Sequence, residues 1–120
     1  MVDGQRVICA SGDLPESGRG VRFAVTRFGR IEPAFVVRFR GTAYAYLNRC
    51  AHVPSELDWV DGEFFDDSKL YLICATHGAL YAPDTGRCRG GRCRGLGRGL
   101  VPLAIEERGG AVYLIEPDVT

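Results

Sequence analysis

NRCAHV (residues 48–53) and ICATHGALY (residues 73–81) are the two stretches on which the reading of this chain turns. Each carries one cysteine and one histidine: His52 stands two positions after Cys50, and His77 three positions after Cys74. These are the only two histidines of the chain. The first pair follows a predicted strand that ends at Leu47, and the second follows one over Lys69–Ile73, with Gly78 directly after His77. A strand that delivers a ligand, and a glycine that lets the backbone turn tightly behind it, are what a metal-holding loop requires.

Outward from these stretches the chain reads as short strands punctuated by turn residues. VRFAVT (21–26) alternates, with Val21, Phe23 and Val25 on one face. PAFVVRFRGTAYAYLN (33–48) predicts a hairpin, Phe35–Phe39 and Thr42–Leu47 joined at Arg40-Gly41. KLYLIC (69–74) is a short apolar strand, and GALYAPDTGRC (78–88) carries a turn at Pro83–Gly86. LVPLAIEERGGAVYLIE (100–116) repeats the hairpin pattern around Gly109-Gly110. No window holds a helical period over three turns, and DLPESG (13–18) predicts at most one turn of helix. The expected fold class is all-β, a single domain over residues 1–120 built of small antiparallel sheets.

Composition narrows the function classes. The 120 residues carry 15 basic and 15 acidic side chains, which argues against nucleic acid or an anionic membrane as partner. No segment approaches the roughly 18 apolar residues of a membrane span, and the start does not read as a signal peptide, so a cytoplasmic location is expected. Five cysteines exclude a complete disulfide framework. Cys9 reads as an apolar filler on the first strand, and Cys88 and Cys93 as free thiols, because a disulfide is disfavoured in a reducing compartment. Charge is uneven along the chain: six acids and no base between Glu56 and Asp67, five arginines and no acid between Arg87 and Arg98. The expectation is two solvated loops that neutralise each other; the other reading is a steering surface for a charged protein partner.

Cys50, His52, Cys74 and His77 form C-x-H and C-x2-H pairs separated by 21 residues. Zinc takes such a set tetrahedrally; a [2Fe–2S] cluster takes the thiolates on one iron and the imidazoles on the other. Zinc motifs usually pair like with like, whereas here each loop offers one of each, which suits two metal atoms bridged by sulfide. In the oxidised centre the ferric, sulfide and thiolate charges cancel, while four thiolates would leave it doubly negative. Histidine ligation therefore raises the potential, into a range of roughly −150 to +300 mV.

CAH…CATHGALY resembles the Rieske iron–sulfur motif, C-x-H…C-x2-H-G, and DLPESGRGVRFAV, AYAYLNRCAHV, ATHGALYAPDTGRC and LVPL are similar to small Rieske-type proteins over nearly the whole chain. The resemblance implies a cluster-binding subdomain over about residues 46–86 at the tip of a base of antiparallel sheets. It implies one [2Fe–2S] cluster per chain, with Cys50 and Cys74 on the buried iron and His52 and His77 on the outer one. Gly78 and Tyr81 are its supporting residues. The departures are a longer gap between the pairs, Ser55 and Thr76 where respiratory members have a disulfide, Ala79 where they have a serine donor, and Arg92 where proline is frequent. With Tyr81 kept and the serine lost, the expected potential lies in the lower or middle part of the range. Both histidines being committed, no mononuclear iron site and no His-assisted nucleophile can be assembled. The expected role is not enzymatic: a ferredoxin-like electron carrier between a reductase and a terminal oxidoreductase such as an oxygenase. A small cluster-bearing subunit of a larger oxidoreductase, or a zinc-stabilised interaction module, are the alternatives.

Overall fold

The computed structural model describes residues 6–50, 55–58, 60–75, 78–91 and 99–115. Among these the strands are β1 (Arg6–Ala10), β2 (Val21–Arg27), β3 (Arg30–Phe39), β4 (Thr42–Leu47), β5 (Leu72–Ile73), β6 (Leu80–Tyr81), β7 (Cys88–Gly90), β8 (Pro102–Leu103), β9 (Ile105–Arg108) and β10 (Ala111–Leu114). They form three antiparallel sheets, ordered β1-β10-β9, β2-β3-β4-β8 and β5-β6-β7. The expected all-β class of small antiparallel sheets is what is found. No helix among the described residues is long and apolar enough to cross a membrane.

The hairpins β2–β3, β3–β4 and β9–β10 turn on two residues each, Phe28-Gly29, Arg40-Gly41 and Gly109-Gly110, all at positive φ. Paired positive φ matches the twist of the flanking strands. The second and third turns were legible as Arg-Gly and Gly-Gly; the first was not. Phe28 is bulky, and in the left-handed region it carries a steric cost of roughly 1–2 kcal/mol that sequence patterns rarely show. For that reason β3 starts at Arg30 and not at Phe35. The expected strand 69–74 shrinks to Leu72–Ile73, because Lys69 takes φ +63 in a turn closed by its N–H on Asp66. The helical turn expected over 13–18 is instead a 3-10 turn at Ser11–Asp13.

β3 is buried on both faces, which makes it the spine of the molecule. Ala34 and Val36 face one core with Val25, Ala45, Leu47, Val112 and Leu114. Phe35 and Val37 face the other, with Tyr46, Leu57, Phe64, Leu72 and Tyr81. The first core joins the outer sheet to the central one; the second packs the small sheet β5-β6-β7 on the opposite face. Phe64 stacks on Phe35 with ring centroids 4.0 Å apart, so the acidic segment 56–67 is pinned to the spine rather than solvated throughout.

The outer and central sheets are also tied by charge. Arg38 of β3 donates from Nη2 and Nη1 to Glu107 of β9 at 2.6 and 3.0 Å. These bonds hold the Glu107 carboxyl below its ordinary pKa. A depressed carboxylate adds stability above the ordinary carboxylate range and loses it as pH falls through the folded value. Glu107→Gln is therefore expected to cost up to about 1 kcal/mol near neutral pH and to flatten the acid loss of stability, as read by denaturant titration at several pH values.

Candidate metal centre

Cys50 follows β4 and Cys74 follows β5, both outside regular strands and both almost fully buried in the core shared with Leu57 and Tyr81. Neither is in a disulfide. The two turns that begin at these cysteines close in the same way. Cys50 N–H donates to Ser55 O at 2.7 Å, and Cys74 N–H donates to Ala79 O at 2.9 Å, each reaching five residues ahead. Gly78 adds a bond from its N–H to Cys74 O at 2.7 Å, at φ +73. One sequence pattern, a cysteine with a histidine inside the next few residues, thus lies on a backbone device used twice. His52 and His77 themselves, with Thr76, Trp59, Arg92 and Cys93, lie outside the described residues.

The turns are joined through the segment between them. Leu57 N–H donates to Asn48 Oδ1 at 2.8 Å, and Leu57 O accepts from Ala75 N–H at 3.0 Å. Asn48 precedes Cys50 by two residues and Ala75 follows Cys74, so one residue links both turns. Asn48 is held in turn: its Nδ2 donates to Asp58 Oδ1 at 2.9 Å, and its N–H donates to Pro33 O on β3. Asp58 Oδ2 accepts from Gly62 N–H at 2.9 Å and faces Arg22 Nε at 3.4 Å. Arg22 also pairs with Glu56 and Asp61. Buried polar groups persist when every member is satisfied, and this network is. Sequence reading missed Asn48, Asp58 and Arg22, because their roles depend on partners 10 to 39 residues away.

The acids of segment 56–67 are therefore answered largely by Arg22 and Arg19 on the β2 side. Among the described residues none of them pairs with Arg87 or Arg89; Arg92, Arg94 and Arg98 lie outside the described residues, and with them the expectation that the two runs neutralise each other. A correction concerns Cys88, which is disulfide-bonded rather than a free thiol. The cellular argument spoke of redox poise. Locally, the glycines after Cys88 let the chain turn back, with Gly91 at φ +75.

Gly91 also carries a contact no larger residue tolerates. A Cβ built there falls 2.2 Å from Gly78 O, so the segment after β7 lies directly against the turn that starts at Cys74. Tyr81 on β6 is fully buried and puts its hydroxyl 3.4 Å from Cys50 Sγ. Tyr46 donates to Pro83 O at 2.8 Å, and burial pushes its phenol far above the ordinary range. The side-chain oxygen of Ser55 is buried with no hydrogen-bond partner.

These features fit an inorganic iron–sulfur centre. Two buried thiols open like-shaped turns, a phenol is aimed at one of the sulfurs, and an orphaned hydroxyl sits in the same turn as Cys50. Soft sulfur donors with imidazoles two and three residues further on are the donor set of a histidine-ligated [2Fe–2S] cluster.

Comparison with known proteins agrees. A family model described as Rieske [2Fe-2S] domain matches residues 4–98. The fold is similar to the Sphingomonas yanoikuyae B1 ferredoxin, at 18% identity and TM-score 0.69 over 94% of this chain and 99% of that one. It is similar to the ferredoxin of carbazole 1,9a-dioxygenase from Nocardioides aromaticivorans IC177, at 21% identity and TM-score 0.67 over 96% and 99%. The terminal oxygenase of carbazole 1,9a-dioxygenase from Novosphingobium sp. KA1 matches at 23% identity and TM-score 0.70 over 98% of this chain but only 31% of its own. The chain thus spans the whole length of such ferredoxins and under a third of the oxygenase chain. A comparison with curated proteins gave no match.

Asn48→Ala is expected to leave Leu57 N–H and buried Asp58 Oδ1 short of a partner, costing about 2–3 kcal/mol by denaturant titration. Gly91→Ala is expected to strain the backbone beside Gly78 and lower stability by roughly 1–3 kcal/mol, whereas Gly12→Ala, where a Cβ meets open space, is expected to change it little.

Proposed function

Because the chain belongs to the Rieske [2Fe-2S] domain family, we propose that it is a one-electron carrier of the ferredoxin kind. In this reading Cys50 and Cys74 hold one iron of its [2Fe–2S] cluster and His52 and His77 hold the other. When bound, the cluster accepts and returns a single electron at a potential raised by histidine ligation. The single observation that supports the ligand assignment best is the repeated turn, in which a buried cysteine donates its N–H to a carbonyl five residues ahead at both sites.

The protein's own groups do the rest. Tyr81 directs its hydroxyl at Cys50 Sγ and favours the more negative, reduced centre. Ala79 offers no hydroxyl, which keeps the potential in the lower or middle part of the range. The core around Leu57, Leu72 and Phe64 excludes water from the sulfur side. Residues 46–86 form the cluster-binding subdomain of a domain spanning residues 1–120. The carrier works between a reductase and a terminal oxidoreductase such as an oxygenase, in the cytoplasm. Similar chains are described as ferredoxin bound to oxygenase in carbazole 1,9a-dioxygenase, and this supports that choice of partner.

One observation favours a second reading, a cluster-bearing part of a larger oxidoreductase: terminal oxygenase chains share this fold over about a third of their length. These 120 residues hold no further histidine for a mononuclear iron, so a catalytic site would have to come from elsewhere.

Protein purified without air is expected to carry two irons and two sulfides per chain and no zinc, and to be red-brown. On reduction it should give the electron paramagnetic resonance signal of a histidine-ligated cluster, with an average g below the free-electron value. Zinc without iron would refute the reading. Cys50→Ser and Cys74→Ser are expected to lose the signal, while Tyr81→Phe keeps it and shifts the midpoint potential downward in redox titration.

A further inference from the structure

Among the described residues, the ion pairs of segment 56–67 are with Arg19 and Arg22, and none reaches Arg89 of β7 or Arg87 just before it. Arg87 and Arg89 lie two residues apart on extended chain, so their side chains share a face while Cys88 between them packs against the core. Both are exposed, and with Arg40 from the β3–β4 turn they line one cleft of about 710 Å³. Among the described residues, no salt bridge engages any of the three. The guanidinium of Arg40 rests over the Phe39 ring at 5.0 Å, and Glu16 is occupied by the Arg40 and Gly41 N–H groups. Among the described residues Asp84 is the one carboxylate in the lining, so three guanidiniums face a single negative charge there. The cleft floor also has an apolar part, Tyr71 and Leu70, the latter half exposed.

We propose that this cleft is a docking surface for an acidic segment of a protein partner: carboxylate side chains on Arg40, Arg87 and Arg89, and an apolar residue against Leu70 and Tyr71. Guanidinium forks match carboxylates in a two-pronged geometry. The chain's overall neutrality argues against a long polyanion such as nucleic acid, whose binding needs a broad basic surface. The cleft borders the sheet that carries the metal centre. Tyr71 lies three residues before Cys74, about 10 Å of extended chain, and Ala82 directly follows Tyr81. A partner seated here is held beside the centre, and opposite charge speeds its arrival. The inference rests on the carrier reading for the nature of the partner, though not for the binding itself.

The test is calorimetric titration of the purified holoprotein with a blocked synthetic peptide of six glutamates around one leucine, at low and moderate salt. Binding is expected at low salt and should weaken as salt rises. Arg87→Glu/Arg89→Glu is expected to weaken it about tenfold or more, while Arg30→Glu/Arg108→Glu, with the same charge change elsewhere, leaves it nearly intact. All four positions are exposed, and visible absorption and circular dichroism check that each variant is folded and loaded. No measurable binding, or equal loss in both double variants, overturns the docking surface. Displacement of the peptide by inorganic phosphate at similar concentration also overturns it, because the cleft is then a simple anion site. The titration reads heat and not electrons. A chain that binds the peptide but lacks iron refutes the carrier reading alone, and an iron-loaded chain that ignores the peptide refutes the docking surface alone.

Discussion

Asp58 is a carboxylate without exposed surface, and the geometry of the metal centre depends on it. Its two oxygens meet the Asn48 amide, the Gly62 N–H and the Arg22 guanidinium, which come from the end of β4, the acidic segment and β2. An unpaired charge at this depth would cost several kcal/mol, so the partners must be present together or not at all. Through Asn48 the arrangement reaches Leu57, and through Leu57 both cysteine turns. Neither cysteine that opens a turn is in a disulfide. Among the described residues, a chain of neutral and charge-assisted hydrogen bonds links the two turns. Such a linkage is sensitive to the loss of any one member, and it costs no oxidising environment.

The longer spacing between the ligand pairs acquires a physical meaning from this. The inserted residues are an anchored element and not slack: Leu57 and Phe64 are fully buried and Asp58 is locked, while Glu56, Asp61 and Glu63 point outward to the arginines of the β2 side. The segment therefore braces the turns from one side, as the chain around Gly91 braces the Cys74 turn from another. Among the described residues, four acids of this segment meet Arg19 and Arg22, while Arg87 and Arg89 line a separate cleft.

The backbone spine obeys a simpler rule. β3 alternates Ala34, Phe35, Val36 and Val37 across its two faces, and each face has its own core. Small residues toward the outer sheet and a large aromatic toward the metal side set how closely each layer approaches. The near-continuous apolar run is the mark of a strand covered on both sides, and the sequence reading took it for an ordinary hairpin arm.

What the sequence determined by itself was local. Alternation in VRFAVT, the Arg-Gly and Gly-Gly turns and the two Cys/His spacings are short-range patterns, and short-range chemistry specifies an all-β chain and the type of inorganic centre it suits. Turns that break local preference, such as Phe28-Gly29, escaped notice because surrounding pairing, not propensity, enforces them. What only the tertiary structure decided was pairing at a distance: which arginine meets which acid, that Asn48 and Leu57 connect the cysteine turns, that Cys88 is oxidised, and that Gly91 must be small. A side chain's partner across tens of residues is chosen by the packing of whole sheets against β3, and no window of sequence contains that information.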